Sequence, residues 1–164
     1  MNASQFHLIY QQYYPRVMRI CMGYVHGNEA KAKDLTQEVL IKVWENLQNF
    51  RQDSKLSTWI YRITVNTCLM HLRRLKQNQK MDINPLVQSD YSTDEAVIKE
   101  MKFQKMYKCI DQLSPENKAV ILLELEGRPQ QEIAEVLGIS HEAVRVRIHR
   151  IKNQLTTCVN NENI

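Results

Sequence analysis

Four basic side chains near the end of the chain could bind phosphate groups. Arg145, Arg147, Arg150 and Lys152 fall within residues 143–161, a stretch that contains no Asp or Glu. A second acid-free stretch, residues 54–81, contains six basic residues: Lys55, Arg62, Arg73, Arg74, Lys76 and Lys80. Two separate stretches of one charge sign are typical of surfaces that bind a polyanion, and two solvated helix faces are the ordinary alternative. Together the stretches favour nucleic acid as a partner.

The segment 129–155 contains the three parts of a helix-turn-helix. Ile133 and Leu137 lie on the inner face of a short first helix. Gly138 can adopt the left-handed conformation that the turn requires, and Ser140 caps the next helix. The second helix has an apolar stripe with residues four, three and four apart: Val144, Ile148, Ile151 and Leu155.

The face opposite this stripe is predicted to enter the major groove of duplex DNA. Residues near the start of a recognition helix usually reach base edges, and later basic residues reach phosphates. Base reading is assigned to Glu142, Ala143 and Val146, with Arg145 as a further candidate. Val146 either touches a thymine methyl group or is an ordinary exposed valine. Phosphate binding is assigned to the later residues, with the capping Ser140 as a secondary ligand: Arg147, Arg150 and Lys152.

These side chains must be positioned by helices, because no stretch shows the alternation of a β-strand and the chain has only four Gly and four Pro. Apolar residues recur at helical spacing along most of the chain, with Ser54 or Ser57 as the cap of the third helix. The periodicity fails between residues 77 and 93, where polar residues dominate as in a linker. We therefore predict an all-α fold: two small helical domains, 1–76 and 95–164, joined by a flexible linker, 77–94, with the helix-turn-helix in the second domain.

Several chemistries are not supported by the sequence. It contains no Gly-rich phosphate loop, no nucleophile elbow and no metal-spaced His or Cys cluster, so we expect no enzyme activity, no cofactor and no metal. The four cysteines form no CxxC pair and are interpreted as reduced thiols in semi-buried helical positions. No signal peptide or membrane-spanning run is visible, which predicts a cytoplasmic protein without membrane insertion.

Three groups of motifs, in order and spacing, resemble the extracytoplasmic-function type of bacterial RNA polymerase sigma factor, of the sigma-70 family. The first is Asp34-Leu35-Thr36-Gln37-Glu38-Val39, followed by Lys42-Val43-Trp44. The second is Ser57-Thr58-Trp59-Ile60-Tyr61-Arg62-Ile63, with Asn66 and Leu72-Arg73-Arg74. The third is Leu113-Ser114-Pro115-Glu116, with Ile133-Ala134, Val144 and Arg147-Ile148-His149-Arg150.

The resemblance implies that residues 1–76 bind core polymerase and the minus-ten promoter element, and that the second domain binds the minus-thirty-five element. Asp34, Gln37 and Glu38 would contact the clamp of the polymerase, while Leu35 and Trp44 hold their helix in the core. From the residues alone, a solvated helix face with ordinary salt bridges is the alternative.

The resemblance also places capture of a flipped base of the melted minus-ten strand at the loop 48–55. Phe50 and Trp59 would be stacking rings there, or simply core residues. Phosphates of that strand would be held by basic residues of the same domain: Arg62, Arg73, Arg74 and Lys76. The family commonly has Asp where Met70 stands and often a basic residue where Val65 stands, and neither position is given a role.

The predicted partners are therefore core RNA polymerase and promoter DNA, with an anti-sigma factor as a further partner that the resemblance allows and no small-molecule substrate. The absence of a long heptad seam favours a monomer when free. The alternative function is a conventional helix-turn-helix regulator that binds duplex DNA without acting as a polymerase subunit. Such regulators usually carry an α/β receiver or sensor domain, of which the sequence shows no strand pattern.

Overall fold

The computed structural model describes residues 3–78 and 95–161, and every regular element in these ranges is helical. The prediction of an all-α fold is confirmed. A short 3-10 turn, Leu47–Asn49, follows the second helix. The seven α-helices are α1 (Ala3–Tyr24), α2 (Glu29–Asn46), α3 (Leu56–Asn78), α4 (Glu95–Asp111), α5 (Pro115–Leu125), α6 (Gln130–Leu137) and α7 (His141–Asn161). The predicted linker, apart from the two residues that extend α3 to Asn78, lies outside the described residues.

The N-terminal half consists of α1, α2 and α3, packed around a common apolar core. Helix α1 continues through Pro15. Helix α2 begins at a cap, because the Asn28 side chain accepts a hydrogen bond from the Lys31 amide at 3.0 Å. The core contains residues from all three helices, among them Val17, Ile20, Val39, Val43, Ile60 and Tyr61.

The C-terminal half, α4 to α7, contains the predicted helix-turn-helix in α6 and α7. Ser140 accepts a hydrogen bond from the Ala143 amide at 3.1 Å and so caps α7, as predicted. Gly138 ends α6 with φ of 68°, the left-handed conformation that the turn requires. Ser114 caps α5 in the same way as Ser140 caps α7. These local signals define the start and orientation of the recognition helix.

The two halves share one apolar cluster. At their junction α1 approaches α5 so closely that a Cβ atom on Gly23 would lie 2.3 Å from Cδ2 of Leu122. A half of this size buries too little apolar surface to be very stable by itself, so packing the halves together adds to the core. The sequence indicated the two-part organisation but not this contact.

Polar contacts also join the halves. The Ser57 hydroxyl, predicted as a cap of α3, instead donates to the Glu132 carboxylate on α6 at 2.6 Å. The prediction of Ser57 as the cap is wrong, because α3 begins at Leu56 and Ser57 lies within its first turn. Nearby, the guanidinium of Arg128 lies 5.5 Å from the centre of the Tyr61 ring, a cation–π contact between the halves.

A buried cation lies at the same junction. Lys118 of α5 is almost fully buried, and its ammonium group donates to the Asp111 carboxylate at 2.9 Å. The same ammonium lies 5.6 Å from the centre of the Tyr24 ring. His26, in the turn after α1, pairs with Asp111 from the other side. A buried charge requires such partners, so this cluster fixes how the end of α4 meets the end of α1.

The cysteines depart from the prediction of four reduced thiols. Cys109 of α4 and Cys158 of α7 form a disulfide, with their Cα atoms 5.9 Å apart. Cys21 and Cys68 are buried free thiols whose sulfur atoms lie 3.9 Å apart, between α1 and α3. The pairing was not apparent because the two partners are 49 positions apart and meet only when α7 packs on α4.

Candidate nucleic-acid interface and protein-docking face

Helix α7 presents the predicted base-reading residues on one exposed face. Val144 and Ile148 are buried on the opposite side of the helix. Glu142, Arg145 and Val146 are exposed in its first two turns, and Ala143 is half-buried beside them. The geometry therefore brings together the residues that the sequence predicted to read base edges.

One ion pair lies within this face. The Arg145 guanidinium is 3.7 Å from the Glu142 carboxylate, and both side chains are mostly exposed. An exposed pair of this kind contributes little to stability, so either group can exchange its partner for a base edge at small cost.

Arg147 and Arg150 lie beside the start of α5. They line a shallow groove together with Ser114, Glu116 and Asn117. Neither arginine makes an ion pair with a residue in the described part of the chain. Two guanidinium groups next to a helix N-terminus, where the dipole favours negative charge, form a suitable environment for a DNA phosphate.

Lys152 is placed differently from the other predicted phosphate ligands. Its ammonium group lies 3.3 Å from the Glu124 carboxylate on α5. The lysine is thus partly committed to holding α7 on α5. This pairing was not predictable from the sequence, because Glu124 precedes Lys152 by 28 positions and belongs to a different helix.

The predicted polymerase-binding residues lie on α2. Asp34 and Gln37 are exposed. Glu38 is half-buried and pairs with Lys42 at 3.3 Å and with Arg74 of α3 at 3.6 Å. Asp34 and Gln37 are therefore available to a partner, whereas Glu38 links α2 to α3.

An apolar groove lies next to Gln37 and was missed by the sequence reasoning. It is lined by Ala3, Phe6 and Tyr10 of α1 and by Leu40, Ile41 and Trp44 of α2. Exposed apolar surface of this kind often marks a site for a protein partner. Tyrosine and tryptophan at such a site add a large contact area.

Trp44 is the residue of this groove whose predicted position was wrong. Its side chain is 47% exposed and stands edge-on to the Phe6 ring, with the ring centres 4.8 Å apart. Leu35 is buried as expected. The buried stripe of α2 runs through Leu35, Val39 and Val43, and Trp44 is turned by about 100° from Val43, away from the core.

A second groove follows the loop after α2. Phe50 and Trp59 are both half-buried, with ring centres 5.1 Å apart, so neither ring is fully withdrawn into the core. Trp59 also lines the groove, which has a volume of about 390 Å³ and amide side chains on its walls. Of the two positions that depart from the family pattern, Val65 is buried in the core and Met70 is exposed on the groove wall.

The four basic residues predicted to hold minus-ten phosphates do not form one cluster. Arg62 donates to the backbone carbonyl of Glu135 on α6 at 2.9 Å. Arg74 pairs with Glu38. Arg73 and Lys76 are exposed and line a cleft between the two halves. Only the last two are therefore available to a ligand without breaking a contact between helices.

His71 lies in the same cleft, and its environment alters its protonation. Burial lowers the pKa of its imidazole, an effect that the negative charge of Glu38 opposes. Its Nε2 atom is buried and has no hydrogen-bond partner among the described residues. The neutral ring is therefore the form that this site favours.

Within the described ranges, no three His, Cys, Asp or Glu side chains are grouped so that they could hold a metal ion. None of the helices described is both long enough and apolar enough to cross a membrane.

Comparison with known proteins identifies the family. Residues 9–78 match the model of Sigma-70 region 2, and residues 103–155 match that of Sigma-70, region 4. The chain is 30% identical to the RNA polymerase sigma factor YlaC of Bacillus subtilis, over 90% of this chain and 87% of that protein. The chain belongs to the sigma-70 family of RNA polymerase sigma factors.

Other relatives define the class within the family. The chain is 33% identical to the ECF RNA polymerase sigma factor SigE of Mycolicibacterium smegmatis, over 88% of this chain and 58% of that protein. The solved structure of the sigma factor RpoE with the anti-sigma factor NepR from Bartonella quintana superposes with a TM-score of 0.73 at 20% identity, covering 96% of this chain and 98% of that chain. This sigma factor is thus of the extracytoplasmic-function type and directs transcription initiation at promoters.

Proposed function

We propose that the two halves of this sigma factor divide its tasks. Helices α1 to α3 bind core RNA polymerase and the opened minus-ten strand, and α4 to α7 bind the minus-thirty-five element as duplex DNA. The protein performs no reaction of its own and works in the cytoplasm, where the polymerase is. The exposed face of α7, with Arg147 and Arg150 beside the start of α5, is the observation that carries the proposal.

On α7, the two kinds of DNA contact are separated along the helix. Glu142 and Val146 stand where base edges would lie, Arg147 directly follows Val146, and Arg150 lies about one turn further along the helix. Base contacts select the sequence, whereas phosphate contacts supply affinity and fix the register on the duplex. Lys152 contributes less than either arginine because Glu124 already neutralises its charge.

On α2, polar and apolar groups combine into one docking face for the polymerase. Asp34 and Gln37 supply hydrogen-bonding groups, and the adjoining groove supplies apolar area through Ile41 and Trp44. A buried aromatic or aliphatic anchor surrounded by polar contacts is the usual composition of an affinity-determining site. Glu38 acts mainly by holding α2 to α3 through Arg74.

The groove beside Trp59 is proposed to receive an unstacked base of the minus-ten strand. Trp59 makes an aromatic wall, with the Phe50 ring packed against it, and Asn49 and Asn66 offer amide groups to the edge of a base. Stacking on an aromatic ring contributes roughly 1–3 kcal/mol per base, comparable to the cost of unpairing it. Arg73 and Lys76 add positive charge further along α3, before it ends at Asn78.

An anti-sigma factor is proposed as a further partner. Two solved structures to which the chain is similar are complexes, one of RpoE with NepR and the other of CnrH with the cytosolic domain of CnrY. The fold that this chain shares with them presents the same arrangement of helices to such a partner.

Run-off transcription tests the proposal. Purified core polymerase, this protein and fragmented genomic DNA are expected to give protein-dependent transcripts with fixed start sites. Ile41→Asp should abolish binding to core polymerase, because it places a charge in the apolar groove. Ala30→Asp adds the same charge at an exposed position near the start of α2 and serves as the matched control. Specific duplex binding without any transcript would instead support a conventional regulator.

A further inference from the structure

The disulfide partners Cys109 and Cys158 differ sharply in their access to solvent. Cys109 is 1% exposed, beneath α7. Cys158 is half-buried and lines an open groove together with Gln112, Asn153 and Thr157. A reagent in solution can thus reach one sulfur atom of the pair and not the other.

We propose that Cys109 and Cys158 form a site of reversible thiol–disulfide exchange with a low-molecular-weight disulfide, such as oxidised glutathione, which crosslinks α4 to α7. The inference rests on the proposed function in one respect, namely that the protein works in the cytoplasm. Disulfides in the cytoplasm are normally transient, because thiol reductants keep protein cysteines reduced. A pair placed at bonding distance there responds to the local balance of thiol and disulfide.

The difference in solvent exposure between Cys158 and Cys109 determines which thiolate reacts first. The thiolate of Cys158 attacks one sulfur of oxidised glutathione, a bond forms between them, and one glutathione leaves as a thiolate that takes up a proton. The thiolate of Cys109 then attacks the Cys158 sulfur and displaces the second glutathione. Two protein thiols are oxidised and one glutathione disulfide is reduced to two thiols. In the reduced form the Cys158 thiol can donate to the Gln112 side-chain oxygen, 3.7 Å away.

The other cysteine pair provides an internal comparison. Cys21 and Cys68 lie 3.9 Å apart and are fully buried between α1 and α3. No disulfide reagent can approach either sulfur atom without unfolding of the N-terminal half. Proximity alone therefore does not make an exchange site, and these two cysteines are expected to remain thiols under the same conditions.

The crosslink spans the DNA-binding element. The segment between Cys109 and Cys158 contains α5, α6 and most of α7, so the bond closes a loop around the helix-turn-helix. Closing a loop of this length restricts the unfolded chain and stabilises the folded domain. Oxidation should thus hold the recognition helix in place, and reduction should let the last turns of α7 separate from α4 more readily.

The test uses the full-length protein equilibrated in glutathione buffers from reducing to oxidising, then alkylated in denaturant and digested for mass spectrometry. Four labelled cysteines are expected in the reduced protein and two, Cys21 and Cys68, in the oxidised protein. Thermal melting should rise by more than about 5 °C on oxidation. Cys109→Ala should retain one glutathione on Cys158, whereas Cys158→Ser should retain none, and both variants should melt independently of the buffer.

Several results would overturn the inference. A Cys109–Cys158 bond that survives strongly reducing buffer would be a permanent crosslink, and thiols that persist in excess oxidised glutathione would exclude the exchange. Glutathione retained by Cys158→Ser instead of Cys109→Ala would refute the order of attack. If either variant loses its helical circular dichroism, labelling of the wild type still decides between these outcomes. None of the readouts depends on polymerase or DNA, so failure here is distinct from failure of the proposed function.

Discussion

Arg19 on α1 and Glu126 just beyond α5 form an ion pair with two parallel contacts, one of which joins Nε to Oε2 at 2.8 Å. The arginine side chain is 60% exposed, whereas that of the glutamate is only 7% exposed. Because the carboxylate is nearly buried, hydrogen bonds from the guanidinium replace most of its hydration. The two contacts have the bidentate geometry typical of an arginine–carboxylate pair. The pair also crosses the boundary between the two halves, so its strength measures how firmly they are joined.

We expect Arg19→Ala to lower the free energy of unfolding by about 1 kcal/mol, because Glu126 would remain largely desolvated without its partner. Lys33→Ala is the control, since Lys33 and Glu29 form an exposed pair on one helix and should contribute only a few tenths of a kcal/mol. Urea unfolding of both variants measures the difference. Equal effects would show that the Arg19–Glu126 pair is an ordinary surface contact.

Gly23→Ala should disturb the junction of the halves, because the new methyl group would overlap the Leu122 side chain. Overpacking of this kind typically destabilises a protein by about 1–3 kcal/mol. Leu122→Ala creates space in the core and should cost about 2–5 kcal/mol by itself. The double variant should lose less than the sum of the two, since the space accommodates the methyl group. Strict additivity in chemical unfolding would contradict the close contact.

Arg150→Ala should weaken binding to every duplex that the protein recognises and should reduce the slope of log affinity against log salt by about one. Lys152→Ala should have a smaller effect on that slope, because Glu124 neutralises Lys152 in the free protein. Fluorescence anisotropy with labelled promoter fragments at several salt concentrations gives both slopes. A loss confined to one promoter would instead point to base reading by Arg150.

His71 should make the protein less stable in mild acid. Burial lowers its pKa in the folded state below the ordinary value of 6.5, so the unfolded chain binds the proton more tightly. Stability is then fully retained above pH 6.5 and is lost as the pH falls toward the lowered pKa. His71→Gln has no proton to bind and should show a flatter pH dependence in urea unfolding across this window. An unchanged slope would mean that another group is responsible.

Local signals in the sequence were sufficient to predict the helices and the turn and cap of the helix-turn-helix, although not the cap of α3. Gly138 and Ser140 act within a few residues of their own position, and each has the expected role. Contacts between distant helices were not predictable in the same way. Trp44 was wrongly placed in the core, and the pairing of Lys152 with Glu124 was not foreseen, because both contacts depend on α1 and α5, which no periodicity in the sequence brings next to these residues.

The same contrast between local signals and contacts of distant helices applies to the predictions for the candidate site. The face of α7 followed from its own spacing, and the residues assigned there lie together. The resemblance assigned the minus-ten phosphates to basic residues of α3, yet Arg62 donates to the backbone carbonyl of Glu135 and Arg74 pairs with the Glu38 carboxylate. Charge along a chain indicates where a polyanion could bind, but it does not reveal which cations a tertiary fold has already paired.

Helix α6 contacts both α7 and α3, although it has only eight residues. Ile133, Ala134 and Val136 are buried, and the Glu132 carboxylate accepts a hydrogen bond from the Ser57 hydroxyl of the N-terminal half. Among its positions only Gln131 and Glu135 are exposed. Substitutions in lineages of this protein should therefore accumulate at those two positions, while the rest of α6 changes slowly or together with its neighbours in α3 and α7. The shortest of the described α-helices thus has little freedom to diverge.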